Sequence, residues 1–261
     1  MKYILVIAGS DSCGGAGIQA DIRTITSLGA HASTAVTVLT AQNSLGITAI
    51  HKVSGRFIWK QLETIVDDLI PDAVKIGMLY SKEAVKEVAR FVKKHCLQNV
   101  VLDPVLSAST GKKLLESGAL SILKKDLIPV ASIVTPNLFE AEILAHKKIE
   151  DQSEMPGVAK VIKQMGPDVV ITGGHLQGEC VDVLYNGSDL YEFCSSRIDT
   201  DHTHGSGCVF SSALATFLAQ KKDVVKATKL AHDFVRCAIL KGYACGRGSG
   251  PVRPESGNKQ C

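Results

Sequence analysis

The chain has little of what would assign a 261-residue protein to a specialised class. Aromatic residues make up 5% of it, Trp59 is the single tryptophan, and no basic stretch is interleaved with aromatics, so nothing suggests a stacking surface for nucleic acid. A formal net charge of +3 is too small to argue for nucleic acid or a membrane surface as partner. No apolar run reaches membrane-spanning length. The eight cysteines (13, 96, 180, 194, 208, 237, 245 and 261) contain no C-x-x-C pair and no regular spacing. That pattern argues against a zinc site and against a secreted disulfide framework in a chain this long. Reduced thiols in a cytoplasmic protein are the expectation. The apolar opening is cut short by Gly9-Ser10-Asp11, unlike the core of a signal peptide. Two nucleotide signatures are also missing, the P-loop G-K-[ST] and the dinucleotide G-x-G-x-x-G.

What is present is an alternation of strand-like and helix-like segments. With 45% apolar and 21% charged residues the chain is globular, and its length can bury a large core. Strands are expected at 3–8, 32–40, 47–53, 73–78, 99–103, 132–135 and 169–172. Helices are expected at 18–28, 57–69, 82–95, 114–127, from 136, and at 155–165. Pro136 is expected in the first turn of its helix. Asn186-Gly187 joins two short runs, 181–185 and 190–194, as a hairpin. Two more helices follow, to about Gln220 and from Val224 to about Lys241. The pattern predicts a single α/β domain over 1–261, with a mostly parallel sheet covered by helices on both faces. Gly9, Gly77, Asp103, Pro136 and Gly173 fall at the carboxyl ends of strands, where such sheets gather ligands.

The most chemically suggestive stretch is His202-Thr203-His204-Gly205-Ser206-Gly207-Cys208, which runs directly into a helical pattern. Glycines there let successive N–H groups converge on one point, and the helix start adds positive potential, making a place for phosphate or developing negative charge. Cys208 stands at the mouth, where that field would favour the thiolate. An ordinary helix start with a small buried cysteine would use the same letters. Ser12-Cys13-Gly14-Gly15-Ala16-Gly17 forms a second glycine-rich turn between strand and helix. Asp21, one turn into that helix, reads from position alone as a solvated carboxylate. Gln42 is either a turn former or an amide that reads a heterocycle's edge. His175, His202 and His204 show no carboxylate partner at fixed spacing and read as loop histidines.

Taken in order, the motifs resemble the hydroxymethylpyrimidine/phosphomethylpyrimidine kinase family of the ribokinase superfamily. They are Ala8-Gly9-Ser10-Asp11-Ser12-Cys13-Gly14-Gly15-Ala16-Gly17-Ile18-Gln19-Ala20-Asp21, Ala41-Gln42-Asn43, Lys75-Ile76-Gly77-Met78 and Val101-Leu102-Asp103-Pro104-Val105. Thr135-Pro136-Asn137-Leu138-Phe139-Glu140-Ala141, Gly173-Gly174-His175 and His204-Gly205-Ser206-Gly207-Cys208 complete the set. The resemblance covers nearly the whole chain. It implies a ribokinase-like three-layer α/β/α fold and two ATP- and Mg²⁺-dependent phosphorylations, of 4-amino-5-hydroxymethyl-2-methylpyrimidine and then of its monophosphate. It further implies that Gly205, Ser206, Gly207 and Cys208 form an anion hole with Cys208 as base, in the place where sugar-kinase relatives carry aspartate. Glu140, through water, and Asp103 would serve Mg²⁺, with Asn137, Thr172 and Gly174 on the ATP side. Gly9, Ala16, Asp21, Gln42, Met78 and Val105 would surround the pyrimidine. The resemblance also admits a homodimer, for which the sequence supplies no interface.

The chain departs from the family at three points. Thr172 precedes the Gly-Gly pair where many relatives carry lysine. Ser109 and Thr110 stand where lysine is frequent, with Lys112 and Lys113 just beyond. Cys13 replaces a more usual serine. The lysine changes imply lower turnover or transfer of their work to Lys112, within Ser107–Lys113, the candidate lid. A pyridoxal kinase of the same fold is the alternative function. It is disfavoured because the loop Leu106-Ser107-Ala108-Ser109 lacks the second cysteine some such enzymes use. A non-catalytic pyrimidine sensor is the other, suggested by Thr172 and opposed by the intact Glu140 and Cys208.

Overall fold

A computed structural model describes residues 1–107, 111, 113–174 and 178–256. Ser109, Thr110, Lys112 and His175, each given weight above, lie outside the described residues. The strands are β1 (Tyr3–Asp11), β2 (His31–Asn43), β3 (Gly46–Lys52), β4 (Ala73–Ile76), β5 (Val100–Leu102), β6 (Ile133–Val134), β7 (Asp168–Thr172), β8 (Cys180–Tyr185) and β9 (Leu190–Ser195). They form one sheet in the order β3-β2-β1-β4-β5-β6-β7-β8-β9. The six strands from β2 to β7 pair in parallel, while β3 at one edge and β8 and β9 at the other are antiparallel.

The helices are α1 (Gly17–Ser27), α2 (Gly55–Val66), α3 (Lys82–Lys94), α4 (Ala119–Ile122), α5 (Leu138–Ala145), α6 (Met155–Lys163), α7 (Ser206–Ala219) and α8 (Val224–Leu240). The apolar run of β1 shows why periodicity alone could not orient it. Ile4, Val6 and Ala8 pack with α1, α7 and α8 on one face, and Leu5 and Ile7 pack with the other helices on the opposite face. A strand buried on both faces reads as a continuous apolar run. Among the described residues no helix is long and apolar enough to cross a membrane.

Four boundaries differ from the sequence reading. β1 continues through Gly9-Ser10 to Asp11 and β2 through Gln42 to Asn43, because the two ends pair with each other and with neighbours. The helix expected from Leu114 begins only at Ala119, after Gly118 in the left-handed region at φ +78°. Pro136 precedes its helix: Asn137 is the cap, its side chain accepting the Glu140 N–H. Among the described residues, cysteines 13, 96, 180, 194, 208 and 245 are free thiols.

The order of strands fixes where a ligand can enter. From β1 the chain moves to β2 on one side, and later to β4 on the other, so the connections leave in opposite directions between β1 and β4. The crevice outside the carboxyl ends of strands at such a reversal is the usual binding position of an open α/β sheet.

Candidate active site

Two glycine turns meet at this crevice. Gly205 caps α7 at φ +84°, and a Cβ on it would lie 1.9 Å from the Gly15 carbonyl oxygen. Gly17 starts α1 at φ +57°, and a Cβ there would lie 2.4 Å from the Gly9 carbonyl oxygen. Only glycine satisfies both the left-handed backbone and the close approach. The turn after β1 thus folds back onto its own strand and presses against the turn that opens α7. Above Gly207 a Cβ would meet nothing within 4 Å, so the first turn of α7 faces open space. N–H groups at a helix start have no intrahelical acceptor and carry the positive end of the dipole.

Cys208 sits half-buried in that turn, with its thiol toward a buried charged cluster. Burial pushes the thiol up to about 12; the Asp21 and Asp103 carboxylates add to the rise, and Lys75 and the Gly17 N–H oppose it. The expected thiolate is therefore corrected: in the unliganded protein Cys208 is a neutral thiol, because loss of water outweighs the helix field.

The cluster beneath it was largely hidden in the sequence. Asp21, read there as solvated, is fully buried and grips Lys75 Nζ at 2.8 and 3.0 Å. Ser212, one turn beyond Cys208, donates to Asp21 Oδ1 at 2.8 Å. Burial opposes charge on Lys75, yet Asp21, with Cys208 and Asp103 nearby, raises its pKa above the ordinary lysine value. A Cβ on Gly77 would stand 2.8 Å from Lys75 Nζ, so this glycine makes room for the ammonium. A lysine inside Ala73-Val74-Lys75-Ile76 was the one available signal.

Asp103 ends β5 and receives the Ser211 hydroxyl at 3.2 Å. Burial raises its carboxyl to about 6, with the neighbouring Asp21 charge adding and Lys75 and Ser211 opposing. Glu140 occupies the third helical position after Asn137 and completes a capping box. Its Oε2 accepts the Asn137 N–H at 3.0 Å and its Oε1 the Leu106 N–H at 3.2 Å. Burial, reinforced by the Asp103 charge, raises Glu140 to about 8 against those two hydrogen bonds. Two buried carboxyls, with the Asp103 charge disfavouring ionisation of Glu140, form a donor set that could serve a divalent cation. Carboxylate oxygens with lone pairs remaining can still take a water-mediated contact. Among the described residues no group of three metal-ligating side chains occurs, so the set is sparse.

Thr172 and Gly174 follow on the same side. The Thr172 N–H donates to the Pro136 carbonyl at 3.0 Å, which brings the end of β7 beside Asn137. A Cβ on Gly173 would collide with the Val181 carbonyl at 2.0 Å, while the Gly173 N–H donates to Asp182. Gln42, Met78, Val105 and Ala16 are half-buried around the ends of β1, β2, β4 and β5. Gly9 is buried between them, with Val38 Cγ1 2.7 Å and Met78 Sδ 3.5 Å from where its Cβ would be. His204 does have a carboxylate partner, Asp11, at 3.0 Å across 193 residues of sequence. Asp11 was not singled out from sequence and His204 read only as a loop histidine, since no local spacing links them.

Residues 11–253 match the family model described as phosphomethylpyrimidine kinase. The chain belongs to this family. It is 40% identical over 250 residues to the hydroxymethylpyrimidine/phosphomethylpyrimidine kinase of Streptomyces coelicolor, covering 95% of this chain and 93% of that one. It is 43% identical to the thiamine biosynthesis bifunctional protein ThiED of Geobacter sulfurreducens, over 95% of this chain but only 51% of that longer protein. Among solved structures, an ADP complex of Bacillus subtilis pyridoxal kinase superposes with a TM-score of 0.91 at 37% identity, covering 98% of each chain. As a phosphomethylpyrimidine kinase family member the chain is a phosphotransferase that uses ATP, and its ribokinase-like fold is as the sequence motifs imply.

Proposed function

We propose that this chain phosphorylates the hydroxymethyl group of 4-amino-5-hydroxymethyl-2-methylpyrimidine and then the resulting monophosphate, completing a diphosphate for thiamine diphosphate synthesis. The observation that carries the reading is the pair of interlocked glycine turns, with the start of α7 open above Gly207, in a chain matching the kinase family over residues 11–253. In each transfer an acceptor oxygen, the hydroxyl in the first and a phosphate oxygen of the monophosphate in the second, bonds to the γ-phosphorus of ATP and the bond from phosphorus to the β,γ-bridging oxygen breaks, releasing ADP. Charge spreads over the transferring oxygens. The N–H groups of Gly205 to Cys208 are assigned to that charge, fixed before the reaction begins. Gln42 is assigned to the edge of the pyrimidine, with Met78 and Val105 as apolar walls and Ala16 and Gly9 as the close-packed floor. Asp21 acts from beneath, through Ser212 and Lys75.

Cys208 is the proposed base. As a thiol in the free protein it first gives its own proton to solvent water, and the resulting thiolate Sγ takes the acceptor hydroxyl proton late, as the new bond to phosphorus forms. Glu140 and Asp103 are the residues assigned to Mg²⁺, which when bound would neutralise phosphate charge. Asn137 positions Glu140, and Thr172 and Gly174 flank the nucleotide.

A second reading has a specific observation behind it, the likeness to pyridoxal kinase at TM-score 0.91. A coupled ADP-release assay with MgATP and, in turn, the pyrimidine alcohol, its monophosphate and pyridoxal separates the two. Turnover on both pyrimidines above pyridoxal is expected. A preference for pyridoxal overturns the pyrimidine assignment, and acceptor binding without ADP release makes the chain a sensor.

A further inference from the structure

Asp11 stands where the two turns meet, and its carboxylate serves both. Oδ1 accepts the Cys13 N–H at 2.8 Å. Oδ2 accepts the Ala16 N–H at 2.9 Å and the Gly15 N–H at 3.2 Å. The same Oδ2 lies 3.0 Å from Nε2 of His204, the residue immediately before Gly205. Burial works against this charge, yet the bonds from His204, Cys13 and Ala16 hold the Asp11 carboxyl below its ordinary value.

His204 is fixed on its other sides as well. Its N–H donates to the Gly250 carbonyl at 3.1 Å and its carbonyl accepts the Val252 N–H at 3.1 Å. A Cβ on Gly15 would lie 2.3 Å from the His204 ring, so ring and turn are in direct contact. Gln42 Nε2 is 3.4 Å from the same His204 nitrogen, and Gln42 Oε1 accepts the Thr40 hydroxyl at 3.2 Å. A neutral imidazole carries one N–H, and a carboxylate on Nε2 places that hydrogen there. His204 Nε2 then cannot accept from Gln42, and the amide hydrogens of Gln42 are left for a ligand.

We propose that Asp11 and His204 act together as a positioning pair that sets the acceptor-side turn and the anion-binding turn in one register and frees the Gln42 amide to meet the acceptor ring. The pair deepens the kinase reading and rests on the assignment of Gln42 to the acceptor. Neither residue need touch a reacting atom.

The test compares Asp11→Asn, His204→Ala and His204→Gln with the unaltered protein, reading kcat, KM for acceptor, KM for ATP and Tm. Glutamine places an amide N–H near the position of the histidine Nε2–H. Losing a hydrogen bond to a charged group predicts that His204→Ala and Asp11→Asn each raise acceptor KM about tenfold and lower kcat about tenfold, with ATP KM within about twofold. His204→Gln should recover most of both. The Asp11→Asn/His204→Ala double variant should be no worse than the poorer single variant, because one link is broken either way. A lower Tm with kcat and acceptor KM unchanged would make the pair merely structural and overturn the proposal, as would additive losses in the double variant. If the unaltered protein prefers pyridoxal, the same comparison is made with pyridoxal. If it turns over no acceptor, the kinase reading has failed separately, and calorimetric affinities for the pyrimidine alcohol carry the comparison, equal affinities overturning the pair.

Discussion

The two walls of the crevice differ in how their buried carboxyls are partnered. On the wall formed by β1, β4, α1 and the start of α7 each carboxylate has its partners in place: Asp21 is paired with Lys75, and Asp11 is hydrogen-bonded by His204 and three N–H groups. On the wall formed by the ends of β5 and β6, Asp103 and Glu140 are buried with raised pKa values, and Glu140 is opposed by the Asp103 charge and held by the N–H groups of Asn137 and Leu106. The first wall is complete before any ligand arrives. The second is completed by what binds it, which suits the side assigned to metal and nucleotide. Under the proposed assignments, preorganisation is concentrated where negative charge would develop, and the other side is where a dication would add most.

The comparison is sharpened by removing its parts, beginning with the largest effect. Cys208→Ala should keep acceptor and ATP affinity while lowering kcat by about 10²–10⁴, the range for loss of a positioned base, checked by steady-state kinetics and calorimetry. Near-normal turnover would remove Cys208 from the chemistry and leave the backbone turn alone responsible. Lys75→Met strands the buried Asp21 charge and should cost about 3–5 kcal/mol in denaturant unfolding. Adding Asp21→Asn should restore much of that, and a loss equal in single and double variants would mean the wall is not held by matched charge.

The opposite wall should respond to pH. The unfolded Glu140 titrates near 4.5 and the folded one near 8, so between these values the folded protein keeps a proton that the unfolded chain has released. Stability therefore falls as pH rises through this window, by an amount on the order of a few kcal/mol. Glu140→Gln should flatten the decline and raise the Mg²⁺ concentration needed for half-maximal turnover. An unchanged pH profile of Tm would mean that Glu140 is not held protonated. The smallest effect is expected at Asn137→Ala, about 1 kcal/mol from the lost cap on α5, measured by denaturant unfolding. No loss would show the capping box to be redundant with the Leu106 contact.

The fold was legible wherever a residue's environment follows from its neighbours in sequence. The strand–helix alternation, the Asn186-Gly187 hairpin and the glycine start of α7 are of this kind, whereas the Asn137 cap was not read, because Pro136 was expected in the first turn of the helix. Gly118 was the local signal that shortened α4, and the periodic apolar residues before it obscured it. The charged interior was not legible. An aspartate one turn into a helix looks solvated until Lys75, 54 residues away, is found across from it. Asp11 and His204 are separated by 193 residues, and only the closure of the sheet brings them together. The thiol of Cys208 shows the same limit: its helix position favours thiolate, whereas burial among Asp21 and Asp103 raises its pKa.

The most direct test of the central claim is phosphorus NMR of the products formed from MgATP and 4-amino-5-hydroxymethyl-2-methylpyrimidine. The account predicts a phosphomonoester that appears first and is converted to a diphosphate ester as ADP accumulates. ADP without any phosphorylated pyrimidine, or phosphorylation of pyridoxal alone, would contradict it.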